Sequence, residues 1–352
     1  MPESDAAAVT KPSKGAPKRW IAIVMSMLST GLGHVYFGQT GHGLIWGAIP
    51  MACTALVTIA LRPISASIGY RSALGLLFAA VLIPWVLGIL SVLRIPSAMR
   101  TRTSMLRVVP IGIGLFLASR TLAMGLRAYA MEAFRIPSGS MIPTLLVGDH
   151  LFVDKGIYRS RAPRRGDVIV FEYPEHPEQT FIKRVIAIPG DRLEVKGGHP
   201  FINGWEVPSC KVGLYTYAEP DTHVQHEGDV FVEFLMEDAY LTFYDRSAFG
   251  IHYYGPFDAK NNDYWVLGDN RNNAHDSRMW WGGQGGGVPL NKVIGRAMFA
   301  WISVDEAGVV GWRVGLDVTK AILPPEMKEQ LSPGLARCMN ERPTLLQATP
   351  PG

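Results

Sequence analysis

The sequence predicts an N-terminal α-helical membrane region followed by a mostly-β domain, and three observations divide the chain this way. Nearly all the long apolar runs of its 352 residues fall before Gly125. Beyond that point short runs alternate apolar and polar residues with the period of strands. Where the two kinds of sequence meet lies Phe134 to Lys155, FRIPSGSMIPTLLVGDHLFVDK, which is punctuated by serine, glycine and proline.

The apolar runs are Trp20 to Phe37, Gly41 to Leu61, Ala73 to Leu93 and Val108 to Leu126. Each approaches or reaches the roughly 20 residues that cross a bilayer. The linker between the last two carries Arg94, Arg100, Arg102 and Arg107 and no acid, which the positive-inside rule places in the cytoplasm. The fourth run then leads outward, and everything after Arg127 lies on the far side of the membrane. The basic N-terminus also belongs inside, which requires that Trp20 to Phe37 not cross. Its second half, Ser29-Thr30-Gly31-Leu32-Gly33-His34, is a poor span. A re-entrant or interfacial element is therefore expected there, with three true crossings. Four crossings with the N-terminus outside is the alternative. Arg120 is expected to mark the outer boundary of the fourth helix, because a charge at bilayer depth is costly. Residues 1–19 are polar and rich in Ala and Pro, and read as a disordered cytoplasmic tail. The run after them lacks a clear small-residue cleavage site and reads as retained.

A net charge of +4 and the absence of a basic stripe with interleaved aromatics argue against a nucleic-acid partner. Of the three cysteines, Cys53 lies in an apolar run and Cys210 and Cys338 are far apart, so no metal-type spacing exists. Cys210 and Cys338 could pair in an oxidising compartment, but unpaired thiols are expected. His223 and His226 beside Glu227 do not make an HExxH motif, so no metal or other cofactor is implied. His275 and Asp276 are adjacent and would face opposite sides of an extended chain, which argues against a Ser/His/Asp triad. Trp280-Trp281 and the glycines after them lack the lysine of a phosphate loop, and read as a flexible rim with its tryptophans at lipid.

Strands are expected at Leu151 to Val153, Asp167 to Glu172, Gln179 to Ile188 and Leu193 to Val195, separated by turns such as Pro189-Gly190-Asp191. Three stretches carry chemistry. In Ser138-Gly139-Ser140-Met141-Ile142-Pro143, Pro137 and Pro143 favour rigid extended backbone, on which both hydroxyls would face one side. One hydroxyl can attack a carbonyl while the other holds the oxyanion, provided a base lies in reach. Lys183 stands among Phe181, Ile182, Val185 and Ile186 and precedes Arg184. Burial and a neighbouring cation each lower a lysine pKa from its usual value of about 10.4, which would make the amine a usable base. The third stretch, Gly268-Asp269-Asn270-Arg271 through Asp276-Ser277-Arg278, is dense in alternating charge and reads as a buried, salt-bridged loop.

Together these stretches resemble the serine, lysine and GDNR motifs of the type I signal peptidases, membrane-bound Ser/Lys proteases that remove secretory signal peptides. The resemblance runs from Arg127 to about Val304, with Phe201-Ile202-Asn203-Gly204 similar to the family's short hairpin and Lys292 to Trp301 to its closing strand. It implies an external catalytic domain over 127–316 with the signal peptidase/repressor-protease-like β fold; the membrane region over 20–126 precedes it, and a C-terminal tail over 317–352 lies outside the resemblance. In that tail only a short helix at Glu326 to Leu331 is expected. By position, Ser140 would be the nucleophile and Lys183 its base, with the Ser140 N–H and the Ser138 hydroxyl receiving the oxyanion. Phe134, Ile136, Met141, Leu145, Phe181 and Ile182 would line two shallow pockets for small side chains, giving cleavage of the Ala-x-Ala type. Asp269 would pair with Arg184, and Asp276 with Arg278. One departure stands out: Ala274 occupies a position where many members have a serine bonded to the lysine. Asn273, Ser277, a backbone carbonyl or a water could substitute. The implied partners are exported preproteins and the lipid bilayer, near the secretion translocon. The implied location is the bacterial cytoplasmic membrane, with the domain on the periplasmic or outer face. Two rivals are a self-cleaving repressor of the same fold, against which the membrane region argues, and a silent membrane scaffold. Ala274 supports the scaffold; Ser140 and Lys183 together argue against it.

Overall fold

The computed structural model describes residues 17–219, 223–247, 253–260, 262–305 and 308–345, so the expected N-terminal tail lies outside the described residues except at its last three positions. The chain divides into two units, Met1–Arg127 and Ala128–Gly352.

Among the described residues, three helices, α3 (Thr40–Ile68), α4 (Tyr70–Leu93) and α5 (Met105–Tyr129), are long and apolar enough to cross a membrane. The first apolar run instead breaks into α1 (Arg19–Leu28, 10 residues) and α2 (Leu32–Tyr36, 5 residues), both far short of a span. The break is made at Gly31, whose φ of +97° and close approach to Gly43 exclude a side chain; a Cβ there would lie 2.0 Å from the Gly43 carbonyl oxygen. The arginine-bearing linker folds back on this element, with the N–H groups of Thr101 and Thr103 donating to the carbonyls of Phe37 and Tyr36. Arg120 does not end a helix as expected, because α5 continues to Tyr129. Its guanidinium lies back along its own helix, 5.9 Å from the Phe116 ring.

The second unit is built on three antiparallel sheets. The largest runs β1 (Met131–Arg135), β2 (Asp149–Asp154), β14 (Val293–Asp305), β3 (Val168–Glu172), β4 (Thr180–Ala187), β12 (Asp263–Leu267) and β13 (Val288–Pro289), with β15 (Gly308–Val309) and β16 (Leu316–Asp317) added to β14. Beside it lie β11 (Tyr253–Asp258), β5 (Arg192–Lys196), β6 (His199–Ile202) and β7 (Trp205–Glu206). The link from β6 to β7 is Asn203-Gly204, with φ of 53° and 81°, the two left-handed residues that a tight hairpin requires. The third sheet, β10 (Asp238–Asp245), β9 (Gln225–Leu235) and β8 (Ser209–Ala218), is a meander of long strands. All four expected strands are present, each within three residues of its expected ends.

The C-terminal tail differs from expectation. Instead of a short helix there is α6, Pro325–Leu345, 21 residues long. Met327, Leu331 and Cys338 on this helix are buried with Val230, Val232, Phe234 and Phe243 of the third sheet. A side chain at Gly334 would lie 1.9 Å from the Val212 carbonyl, so the helix backbone rests directly on β8. This contact brings the Cα atoms of Cys210 and Cys338 to 5.6 Å, and the two are disulfide-bonded rather than unpaired. The tryptophan pair is also corrected. Trp280 is fully buried against Phe171 and Tyr173, while Trp281 is half exposed.

The disulfide closes a loop across a sequence separation of 128 residues, and chain-entropy arguments give such a crosslink about 2–5 kcal/mol. The double variant Cys210→Ser, Cys338→Ser should lose stability in that range in denaturant titrations of the detergent-solubilised protein. Its C-terminal helix should become the first segment trimmed by an added protease.

Candidate active site

Strand β4 sets the site by placing two cations side by side. Neighbours on a strand point to opposite faces, so Lys183 and Arg184 enter separate environments, and both are buried, at 4% and 0% exposure. Arg184 is held by Asp269 through Nε at 2.8 Å and Nη2 at 2.7 Å, and it also donates to the Gly166 carbonyl. Asp269 receives a further bond of 2.6 Å from the Thr144 hydroxyl. On the other face, Lys183 Nζ lies 2.9 Å from Ser140 Oγ and 2.9 Å from the carbonyl oxygen of its neighbour Ile182. The Phe181 ring lies 5.2 Å from the same nitrogen.

Burial pushes the Lys183 ammonium down to about 8, against the upward pull of the Asp276 and Asp269 carboxylates. The expected help from Arg184 is absent among these causes, since that cation is matched by Asp269. A pKa near 8 leaves roughly a tenth of the molecules with a free amine at pH 7, against fewer than about one in a thousand for an ordinary lysine.

Ser140 does not sit on the extended backbone that the flanking prolines predict. Ser138 is extended, with φ −138° and ψ 157°, but Gly139–Met141 makes one 3-10 turn. The reason lies in the loop that follows β12: the Asn270 side chain donates to the Gly139 carbonyl at 3.0 Å, and the Asn270 N–H donates to the Ser140 carbonyl at 3.2 Å. The two hydroxyls still meet, with Ser138 Oγ 3.4 Å from Ser140 Oγ. Gly268 permits this approach, because a Cβ there would lie 2.6 Å from the Ser140 carbonyl oxygen and 2.3 Å from the Ala274 side chain.

The rest of that loop is tied by its own charges. Asp276 accepts two bonds of 2.8 Å from Arg278 and one of 2.9 Å from the Gly268 N–H. Arg271, unassigned by the sequence reading, pairs with the fully buried Glu233 of β9, its Nη1 donating at 2.6 Å. The Tyr240 and Tyr244 hydroxyls also donate to Glu233, at 2.7 and 2.8 Å. Alternation along β9 does not single out a buried acid, so only the unpaired arginine of the loop hinted at this partner. Of the groups that could replace a serine at position 274, the Ile182 carbonyl is the one at Lys183. Ser277 Oγ instead accepts from the Val266 N–H at 2.9 Å. His275 does not meet Asp276; its Nε2 lies 2.8 Å from the Tyr173 hydroxyl.

A cavity of about 390 Å³ opens beside the serine, with Ser138, Ser140, Phe181, Ile182 and Lys183 in its walls. Of the six expected pocket residues, Phe181 and Ile182 line it. Ile136, Met141 and Leu145 are at most 2% exposed and form the core against which Ile182 packs, and Phe134 is half-buried on β1.

A serine hydroxyl thus lies against a buried amine, on a β scaffold that follows three apolar helices. The family model for signal peptidase, peptidase S26, matches residues 108–302, more than half of the chain. The signal peptidase I of Leptolyngbya laminosa is 36% identical over 200 residues, covering 55% of this chain and 79% of its own length. That of Pseudomonas fluorescens is 35% identical over 199 residues, covering 51% and 68%, and that of Aquifex aeolicus is 32% identical over 209 residues, covering 51% and 78%. The chain belongs to the signal peptidase family, peptidase S26, and is a serine endopeptidase.

Removing one partner of a buried ion pair leaves the other charge uncompensated, at about 3–5 kcal/mol. Asp269→Asn should therefore lower unfolding stability by about that amount, while the same change at the exposed Asp258 should cost less than about 1 kcal/mol. The lysine makes a separate prediction. If it must be deprotonated to act, kcat/KM should rise with pH and level off above an apparent pKa near 8. A profile flat between pH 6 and 9 would contradict a titrating base.

Proposed function

We propose that the protein removes signal peptides from exported preproteins, with Ser140 as nucleophile and Lys183 as general base. The observation that carries this reading is the 2.9 Å separation of Lys183 Nζ and Ser140 Oγ, with the lysine buried and its pKa brought to about 8. The neutral amine takes the Ser140 proton as Oγ attacks the scissile carbonyl. The Ser140 N–H and the Ser138 hydroxyl receive the negative charge that forms on the carbonyl oxygen. The ammonium then gives its proton to the leaving amine, and the regenerated amine activates the water that hydrolyses the acyl-enzyme.

The Ile182 carbonyl bonds Lys183 on one side and the Ser140 hydroxyl bonds it on the other, which supports a lysine held in place without a serine at Ala274 and weighs against a silent scaffold. Small side chains before the scissile bond fit the cavity, whose walls near the serine are Phe181 and Ile182.

The membrane arrangement follows the same reading. Three apolar helices anchor the enzyme, the Arg94 to Arg107 linker faces the cytoplasm, and the β unit faces the periplasm or cell exterior, near the translocon that delivers its substrates. The Cys210–Cys338 disulfide supports an oxidising compartment for that unit.

The test is cleavage of a detergent-solubilised preprotein by the purified enzyme. Wild type should cut after an Ala-x-Ala site, while Ser140→Ala and Lys183→Met should each lower kcat/KM by about 10⁴-fold or more with the fold unchanged by circular dichroism. Retention of activity in the Lys183→Met variant would remove the lysine from the mechanism.

A further inference from the structure

The GDNR loop reaches the Ser140 turn through an amide whose own support comes from outside the three motifs. Asn270 is fully buried, and its Nδ2 donates to the Gly139 carbonyl at 3.0 Å and to the Tyr217 hydroxyl at 2.8 Å. Its Oδ1 is buried without a hydrogen-bond partner among the described residues. The Gly139 carbonyl can only accept, so the amide nitrogen and not the oxygen must face it. The amide is therefore held through its nitrogen alone, by one bond to the turn and one to Tyr217.

Tyr217 is itself firmly seated. It lies near the end of β8, where its ring stacks on that of His226, its cross-strand partner on β9, with centroids 5.0 Å apart. The Phe243 ring meets it at 5.2 Å and a steep angle. Both neighbours are fixed in turn. His226 Nδ1 lies 2.6 Å from Asp245 Oδ2. The Phe243 N–H donates to the Asp269 carbonyl and its carbonyl accepts from the Arg271 N–H, both at 2.9 Å. The third sheet thus presents the phenol to Asn270 at a set place.

These contacts fix the direction of one N–H. The Gly139 carbonyl and the Ser140 N–H belong to a single trans, planar peptide and point opposite ways. Holding the carbonyl toward Asn270 aims the Ser140 N–H to the other side, and an amide that swings lets both tilt. Without the Tyr217 hydroxyl, one buried N–H of Asn270 would lack an acceptor, and the amide would turn to find another.

We propose that Tyr217 is a positioning residue for the oxyanion donor: through Asn270, its hydroxyl sets the Gly139–Ser140 peptide so that the Ser140 N–H meets the charge of the transition state. This rests on the reading of Ser140 as nucleophile. The test uses the full-length enzyme in detergent with a peptide carrying an Ala-x-Ala site. Tyr217→Phe keeps the ring and removes the bond; it should lower kcat about five- to tenfold and leave KM unchanged, because the charge it serves forms only in the transition state. The pH profile should keep its apparent pKa near 8, since Lys183 is untouched. In an Asn270→Ala background, or in Asn270→Ser if the first does not fold, the same change at Tyr217 should have no further effect. Wild-type kcat in folded Tyr217→Phe would overturn the proposal, as would a shifted pKa or the same loss repeated without Asn270. A loss confined to KM would also overturn it, placing the hydroxyl instead with Asn273, whose side chain approaches it from the cavity wall. Failure of folded wild type to cut the peptide, or full activity in Ser140→Ala, would overturn the peptidase reading itself and this inference with it.

Discussion

The structure depends on burying two adjacent cations on one strand. Lys183 and Arg184 could not both be carried into the interior on the same terms, because an unmatched charge there costs far more than a fold can spare. The strand separates them by pointing them to opposite faces, and the two faces solve the problem differently. Arg184 keeps its charge and receives Asp269 in a two-pronged contact. Lys183 receives only neutral acceptors, the Ser140 hydroxyl and the Ile182 carbonyl, so the amine moves toward its neutral form. Below about pH 8 the lysine is charged in folded and unfolded chains alike, and its burial costs about 3 kcal/mol. Between about pH 8 and 10.5 the folded state gives up the proton first and the cost is relieved. One face of β4 thus supplies rigidity and the other supplies reactivity, and neither could do so if the side chains shared a side.

The loop after β12 converts that arrangement into a site. Its successive residues reach in different directions: Asp269 to Arg184, Asn270 to the carbonyls around Ser140, Arg271 to Glu233, and Asp276 to Arg278. The loop is therefore a junction where the strand of Lys183, the turn of Ser140 and the third sheet are all fixed by charge-assisted or buried bonds. The 3-10 turn at Ser140 is held by Asn270, which donates to the carbonyls of Gly139 and Ser140. Glu233, Tyr240 and Tyr244 make the third sheet a partner in this junction, although none of them belongs to a recognisable motif.

Where local sequence dictates local structure, it could be read. The alternating runs pointed to the strands, and the glycines after Ser29 marked the place where the first apolar run fails to span; the hairpin at Asn203-Gly204 was implied by the family resemblance. Pairing across long distances could not be read in that way. Nothing near Cys210 points to Cys338, and where only a short helix at Glu326 to Leu331 was expected, the tail is a continuous helix lying on Val212. Glycines around Trp280 suggested an exposed loop, yet one indole turns inward to fill the gap between Phe171 and Tyr173 while its neighbour turns out. Apolar character likewise could not separate wall from core: Ile182 borders the cavity, whereas Met141 and Leu145 sit behind it. Each of these outcomes was decided by what lay across the fold from the residue.

The crosslink between β8 and α6 also determines what happens to a broken chain. Residues 211–337 form a covalent ring closed through Cys210 and Cys338, and this ring contains the GDNR loop, Glu233 and the central strand β14, but neither Ser140 nor Lys183. A single backbone cut anywhere in that ring leaves both pieces joined through sulfur. The part of the molecule that holds the site together is thus tied in a closed circuit, while Ser140 and Lys183 lie on the single thread that leads from the apolar helices into it. A peptide bond lost within the circuit releases no fragment; the same cut between Ser140 and Lys183 has no such covalent rescue.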